Sequence, residues 1–263
     1  MGTPMTDRTS IPETFSSSIE LLKDMAFPSY CKWCDERIFT HANFFYCPRC
    51  WDQIEKIERP FCSVCGRPHE KAVGFAREDN FPCADCREIK RSDCDRIYAA
   101  GVYGDVLEDA VKRLKFGRKR LLAGPMGRLA AEFARQEIDI ASYDMIVPVP
   151  LHPVRRRERG FNQAVLLAES LIHELAPLVH PARLCMALER ARYTAPQTTL
   201  DAEQRKKNIK GAFAAQAGAE VEGKIALVVD DVVTTGSTVG ECARILKQAG
   251  AERVDALAVA RRV

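Results

Sequence analysis

Apolar positions along the chain fall into runs divided by turn residues, and their spacing alternates between helical and strand-like. Ile19, Leu21, Leu22 and Met25 predict a short helix over Ser18–Ala26, stopped by Pro28. The regular pattern begins at Arg96. Ile97, Ala99, Val102 and Tyr103 read as a strand over Arg96–Tyr103, and Val106, Leu107, Ala110, Val111 and Leu114 recur at helical spacing behind Gly104-Asp105. Leu121–Glu137 reads as an amphipathic helix with Leu129 and Phe133 on its core side, Tyr143–Val149 as an apolar strand, and Ala164–Leu175 as a helix. Arg190–Asn208 lacks core periodicity and reads as a surface loop leading into a helix, followed by a small-residue turn at 214–219. Lys224–Asp231 reads as a buried strand, Thr238–Ala249 as a helix with Gly250 at its C′ position, and Arg253–Ala260 as the last strand. Strands alternating with helices in this way predict an α/β domain.

The strand–helix junction at 226–238 carries the clearest chemistry. Ala226-Leu-Val-Val229 runs into Asp230 and Asp231, then Val232, Val233, Thr234, Thr235, Gly236, Ser237 and Thr238. A buried parallel strand meeting a helix N-terminus is where open α/β sheets bind ligands. Backbone N–H groups of the Thr-Thr-Gly-Ser-Thr turn, with the helix dipole behind them, form an anion cradle. The two carboxylates before it suit a diol, so phosphate on one side and diol on the other describe a ribose 5-phosphate. The plainer alternative is a sheet strand whose two acids cap the next helix.

Composition adds a second region. Among 263 residues, apolar content of 46% and a net charge of +3 describe a globular chain that is not a polycation, so any anion-binding surface must be local. The absence of an N-terminal apolar segment and of any long apolar run predicts a cytoplasmic protein without membrane insertion. Nine of the eleven cysteines lie between Cys31 and Cys94, and eight of these form the pairs Cys31/Cys34, Cys47/Cys50, Cys62/Cys65 and Cys83/Cys86. Two C-x-x-C turns complete the tetrahedral S₄ shell that Zn²⁺ prefers, so one or two structural zinc ions are expected. Sequential pairing closes the shortest loops, with an interleaved arrangement open. Cys94 reads as a buried thiol, His41 and His69 as solvent-facing, and Trp33 and Trp51 as small-domain core, with base stacking as the alternative. These features divide the chain into an arm and short helix at 1–27, a zinc-binding segment at 28–94 and an α/β domain at 95–263.

Two basic segments complete the inventory. Lys112–Arg120 holds six positive charges in nine residues, either a solvated helix end or an anion surface. Arg155, Arg156, Arg157 and Arg159 precede Gly160, Asn162 and Gln163. Guanidinium groups match phosphate oxygens bidentately, and Gly160 permits a hinge, so this segment reads as a loop closing over a leaving pyrophosphate. Val149 and Pro150 end their strand where a pyrophosphate loop would lie.

Residues 226–238 resemble the 5-phosphoribosyl-1-pyrophosphate (PRPP) signature of type I phosphoribosyltransferases. The order of the paired cysteines, Leu114-Lys115-Phe116, Val147-Pro-Val-Pro150, Arg159-Gly-Phe-Asn-Gln163, Arg190-x-Arg192-x-Thr194-x-x-Gln197, Arg205-x-x-Asn208 and Asp230-Asp231 is similar to the ComF family, linked to natural competence and DNA uptake. The resemblance implies a type I phosphoribosyltransferase fold behind a zinc finger, with PRPP and Mg²⁺ as ligands. Asp230, Asp231 and Arg159 would then serve catalysis. The 5-phosphate would sit on Thr234–Thr238, and pyrophosphate would meet Lys115, Arg155 and Arg159. The acceptor base or nucleotide is left open, and no general base stands out. Two further readings use the same fold: a non-catalytic sensor of PRPP or a nucleotide, and a module for single-stranded DNA or competence-machinery proteins.

Overall fold

The computed structural model describes residues 28–39, 43–70, 79–88, 93–176, 183–194 and 202–263. The expected arm at 1–17, the short helix at Ser18–Ala26 and His41 lie outside the described residues. Two compact units form, Met1–Asp52 and Gln53–Val263. The segment 28–94 is thus shared between them, with Cys31, Cys34, Cys47 and Cys50 in one and the other four paired cysteines in the second.

In the first unit, β1 (Ser29–Tyr30) and β2 (Arg37–Ile38) pair antiparallel on either side of the Cys31–Cys34 turn. Helix α1 (Pro48–Trp51) begins directly after Cys47, with Pro48 supplying the fixed φ that suits a first helical position. Tyr46 is fully buried and Trp51 packs against it at 5.6 Å. Trp33 departs from the expected core role: its side chain is 46% exposed. Tyr46 fills the small interior beside the cysteines, and Trp33 projects from the knuckle turn.

The second unit contains α2 (Ala84–Glu88), β3 (Ile97–Val102), α3 (Asp105–Lys115), α4 (Ala123–Glu137), β4 (Met145–Pro148), α5 (Pro153–Arg159) and α6 (Gln163–Leu175). It continues with β5 (Arg183–Leu184), β6 (Leu188–Glu189), α7 (Ala202–Ile209), β7 (Ala214–Ala215), β8 (Ile225–Val233), α8 (Ser237–Gln248) and β9 (Arg253–Arg261). Five strands form one parallel sheet in the order β3-β9-β8-β4-β5, while β6 and β7 make a small antiparallel pair. The continuous apolar runs of β8 and β9 follow from burial on both faces, as parallel sheets require. Helices flank the sheet. Gly127 of α4 meets α6 so closely that a Cβ there would lie 2.2 Å from Ser170 Oγ. Each fully buried leucine of that contact, such as Leu171, contributes roughly 1.5–3 kcal/mol.

Strand β3 is an edge, and the second cysteine segment covers it. Lys56 bridges Gly101 antiparallel, Val102 N–H donates to Glu55 O (2.8 Å), and Ile97 N–H donates to Val64 O (2.9 Å). Phe61 packs on Phe133 of α4 at 5.7 Å. Covering the edge satisfies backbone groups that would otherwise invite pairing with another chain. His69 is half-buried here rather than solvent-facing. Its ring stacks on Phe81 at 4.0 Å, and Nε2 lies 2.9 Å from Phe81 O.

The connections after β4 and β8 leave in opposite directions, toward β5 and β9 respectively. These neighbouring strands therefore flank the topological switch point, the usual binding crevice of an open α/β sheet. Val149-Pro150 and Asp230-Asp231 stand at their carboxyl ends.

Candidate functional site

Strand β8 runs two residues beyond the expected Asp231, to Val233, because Val233 O accepts Arg262 N–H (2.9 Å). The chain then turns through Thr234–Gly236 into α8. Gly236 is the N-cap and sits in the left-handed region at φ +79, where a Cβ would meet Ile97 Cδ1 at 2.9 Å. Glycine is thus favoured both by its backbone angle and by the space available. Thr235 Oγ1 bonds Ser237 Oγ (2.8 Å), which fixes the turn. The N–H groups at the head of this 12-residue helix open into a cavity of about 150 Å³ lined by Thr234, Gly236, Ser237, Thr238 and Arg262.

A larger cavity of about 310 Å³ adjoins it, sharing Tyr103, Lys115, Asp230, Val232 and Thr238 as walls. Val149, Pro150, Arg155, Arg159, Gln163 and Asp231 line its remainder, with Lys112, Arg190 and Thr194. Asp231 is 2% exposed; its Oδ1 pairs with Lys115 Nζ at 2.8 Å, and its Oδ2 has no hydrogen-bond partner. Asp230 Oδ1 accepts the Asp231 N–H (2.8 Å). Burial first, then the Asp231 charge, push the Asp230 carboxyl up to about 7, against the pull of Lys115.

That shift predicts a pH dependence of the free protein. The folded state holds the Asp230 proton more tightly than the unfolded chain, whose value is near 3.8. The Asp230 contribution to stability therefore falls as pH rises from about 4 to about 7 and is flat above, about 4 kcal/mol at most. Thermal unfolding across this range should show the slope, and Asp230→Asn should flatten it; an equal slope in the variant would exclude Asp230 as its source.

The arginine segment is a helix, not the expected loop. His152 Nδ1 accepts the Val154 N–H (3.3 Å), Pro153 opens α5, and Gly160 closes it in the left-handed region at φ +85. The i, i+4 spacing brings Arg155 and Arg159 to one face, where both line the cavity. Arg156 is exposed and does not line it. Arg159 donates to Gln163 Oε1 and lies over the Phe116 ring at 5.7 Å. Burial lowers its basicity, with Asp231 acting in opposition. Asn162 works through structure: its Oδ1 caps α6 at Ala164 N–H (3.0 Å) and its Nδ2 donates to Val149 O (3.0 Å). Gly160 and Thr235 likewise shape their turns without lining either cavity.

The polar stretch after β6 is not a plain surface loop. Thr194 is 7% exposed and accepts from Arg190, whose Nε is buried without a partner. Gln197 and the side chain of Arg205 lie outside the described residues. Tyr103, His152, Tyr193 and Arg262 also line the cavities and carried no sequence motif. Tyr103 and Arg262 follow β3 and β9 directly, so the rule that ligands gather at carboxyl strand ends is the signal that could have found them.

The cysteines form two clusters, Cys31/Cys34/Cys47/Cys50 and Cys62/Cys65/Cys83/Cys86, with the four sulfurs of each within 4.8 Å of one another. The sequential pairing holds. Cys34 and Cys47 sulfurs are 3.7 Å apart and those of Cys65 and Cys83 3.9 Å. A tetrahedron with Zn–S bonds of about 2.3 Å has edges of about 3.8 Å, so both clusters fit Zn²⁺. Cys94 is buried and donates to Val239 O at 3.3 Å. Among the described residues, no helix is long and apolar enough to cross a membrane.

Residues 22–88 match the family model of a double zinc ribbon domain, and residues 161–262 that of a phosphoribosyl transferase domain. The chain is 33% identical over 233 residues to the DNA utilization protein YhgH of Escherichia coli, covering 88% of this chain and 96% of that protein. It is 30% identical over 219 residues to competence protein F of Haemophilus influenzae (82% and 90% covered). With competence protein ComFC of Bacillus subtilis it shares 27% over 211 residues (78% of each). Among solved structures, the glutamine PRPP amidotransferase from B. subtilis complexed with ADP and GMP is similar with a TM-score of 0.35 and 20% identity, over 51% of this chain and 26% of that one.

Proposed function

The chain belongs to the ComF family of competence-related, phosphoribosyltransferase-like proteins, and on that premise we propose that its paired cavities bind PRPP with Mg²⁺ and transfer the phosphoribosyl group to an acceptor base or nucleotide. The observation that carries this reading is the junction of β8 and α8. Two buried carboxylates stand directly before an N-terminal anion cradle, and both open into the cavity that holds Lys115, Arg155 and Arg159. The cradle takes the 5-phosphate. Asp230 and Asp231 accept the ribose hydroxyls, which gives the partnerless Asp231 Oδ2 its donor. Lys115, Arg155 and Arg159 neutralise the pyrophosphate.

The same carboxylate pair and orphaned oxygen fit Mg²⁺ held beside the ribose. When bound, that ion supplies charge neutralisation to the departing pyrophosphate. The anomeric C–O bond breaks with its electron pair going to pyrophosphate. The acceptor's lone pair forms the new bond, and the acceptor's proton goes to solvent. The transition state is oxocarbenium-like, so the buried carboxylates stabilise it by charge more than any nucleophile does.

Calorimetric titration with PRPP and Mg²⁺ tests the binding, and pyrophosphate release with a panel of bases and nucleotides tests the transfer. Absence of heat sinks the proposal; binding without release under every acceptor leaves the sensor reading in its place.

A second reading concerns the first unit. Tyr30 lies opposite Arg37 in the β1–β2 register, and Phe39 follows two residues on, with Arg37 over its ring at 5.2 Å. Tyr30 and Arg37 share one face as directly opposed residues, and the Phe39 ring meets that face under Arg37. Tyr30, Trp33 and Phe39 are 47%, 46% and 79% exposed, which a zinc module with little to bury does not need for stability. We propose that this face, with the exposed Trp33 of the turn that follows β1, stacks bases of single-stranded DNA. Trp33→Ala should weaken binding of an oligothymidylate about tenfold, and the affinity of the unmodified protein should fall steeply with salt. Equal binding by the variant would remove Trp33 from the interface.

A further inference from the structure

We infer that the second cysteine centre, Cys62/Cys65/Cys83/Cys86, is a positioning element of the phosphate turn, acting through Ile97. Ile97 touches both. Its N–H donates to Val64 O inside the Cys62–Cys65 knuckle at 2.9 Å. Its carbonyl lies so close to Gly66 that a Cβ there would approach Ile97 O at 2.5 Å. Its side chain then reaches the other way, with Cδ1 2.9 Å from the place a Cβ of Gly236 would occupy. The knuckle therefore sets the backbone of the residue on which the N-cap glycine of α8 rests. A packed contact of this kind transmits a shift because interiors are dense and hold few voids.

The full-length protein tests this with three variants, Ile97→Ala, Cys86→Ser and, in the other compact unit, Cys34→Ser. The readouts are zinc per chain, affinity for ribose 5-phosphate, and hydrogen exchange of the Gly240 amide. That amide bonds Gly236 O at 2.8 Å, and the Ala249 amide at the far end of α8 serves as reference. Ile97→Ala should keep two zinc ions yet exchange at Gly240 about tenfold faster than the unmodified protein and bind ribose 5-phosphate about tenfold more weakly. Cys86→Ser should lose one zinc and do the same. Cys34→Ser should lose one zinc and change neither. Should Cys86→Ser fail to fold, Ile97→Ala alone decides. Unchanged exchange at Gly240 in Ile97→Ala, or equal loosening in Cys34→Ser, overturns the inference. The ligand arm rests on the phosphate reading of Thr234–Thr238, whereas the exchange arm does not. If the unmodified protein binds no ribose 5-phosphate, the phosphate reading fails while faster exchange still supports the coupling.

Discussion

Asp231→Asn is expected to weaken binding of PRPP with Mg²⁺ by about a hundredfold or more while leaving the fold intact. The side chain is 2% exposed, with one oxygen on Lys115 and the other without a partner. Asparagine has nearly the same shape, so it opens no cavity. It carries no charge, however, and its amide end presents donors either to the Lys115 ammonium or to the incoming hydroxyls. Charge-assisted hydrogen bonds contribute roughly 1.5–3 kcal/mol each, and two are affected, the one to Lys115 and the one to the ribose. A hundredfold loss is about 2.8 kcal/mol, slightly below the roughly 3–6 kcal/mol that two such bonds would supply. Lys115 keeps enough exposure, 22% of its side chain, to turn toward solvent once Asp231 loses its charge. Thermal unfolding of the variant should therefore lie close to that of the parent. Calorimetry on both proteins is the measurement. Undiminished affinity in a folded variant would falsify the assignment of Asp231 to the ribose.

Most of the α/β scaffold was legible because periodicity survives in the sequence wherever a face is buried. Strands β3, β4, β8 and β9 and helices α3, α4, α6 and α8 appear within a few residues of their expected bounds. The departures share a cause. At α5 the charge run masked a helix whose determinants are local, namely the His152 cap, Pro153 at the first turn and Gly160 at the end. At Arg190–Thr194, Arg192 and Tyr193 are exposed as composition suggests, but Thr194 is buried and Arg190 lines a polar cavity, which composition reads as surface. The site followed the same division. The junction at 230–238 is contiguous in sequence and was readable as a unit. Tyr103 and Arg262 reach the cavities through strand order, and His152 and Tyr193 through the loops that carry them, with no local pattern marking any of the four as lining. The boundary of the two compact units, between Asp52 and Gln53, was also invisible. Cysteine spacing favoured the sequential pairing that forms without excluding an interleaved one, and gave no sign that Val64, Gly66 and Phe61 have partners on β3 and α4.

A large loss of stability from a single methyl group is expected at Gly66. Two costs combine there. Its φ of +70 lies in the left-handed region, which costs a residue with a Cβ about 1–2 kcal/mol. The added Cβ would also stand 2.5 Å from Ile97 O and 3.3 Å from Ile97 C, atoms of a backbone already tied to Val64 O. No flexible side chain is available to yield, so either the knuckle or the start of β3 must move. Overpacking of this kind typically adds 1–3 kcal/mol, giving about 3 kcal/mol or more in total. For a unit of this size the unfolding midpoint should fall by about 6–12 °C. Gly218→Ala separates the two costs: its φ is +80, and nothing lies within 4 Å of the new Cβ. That variant should lose only the backbone share, about 1–2 kcal/mol. Parallel thermal melts of the two variants with zinc present decide the matter. If Gly66→Ala falls no further than Gly218→Ala, the knuckle is not pressed against β3 as its backbone contacts describe. A clear gap between them measures how firmly that edge of the sheet depends on the ribbon that covers it.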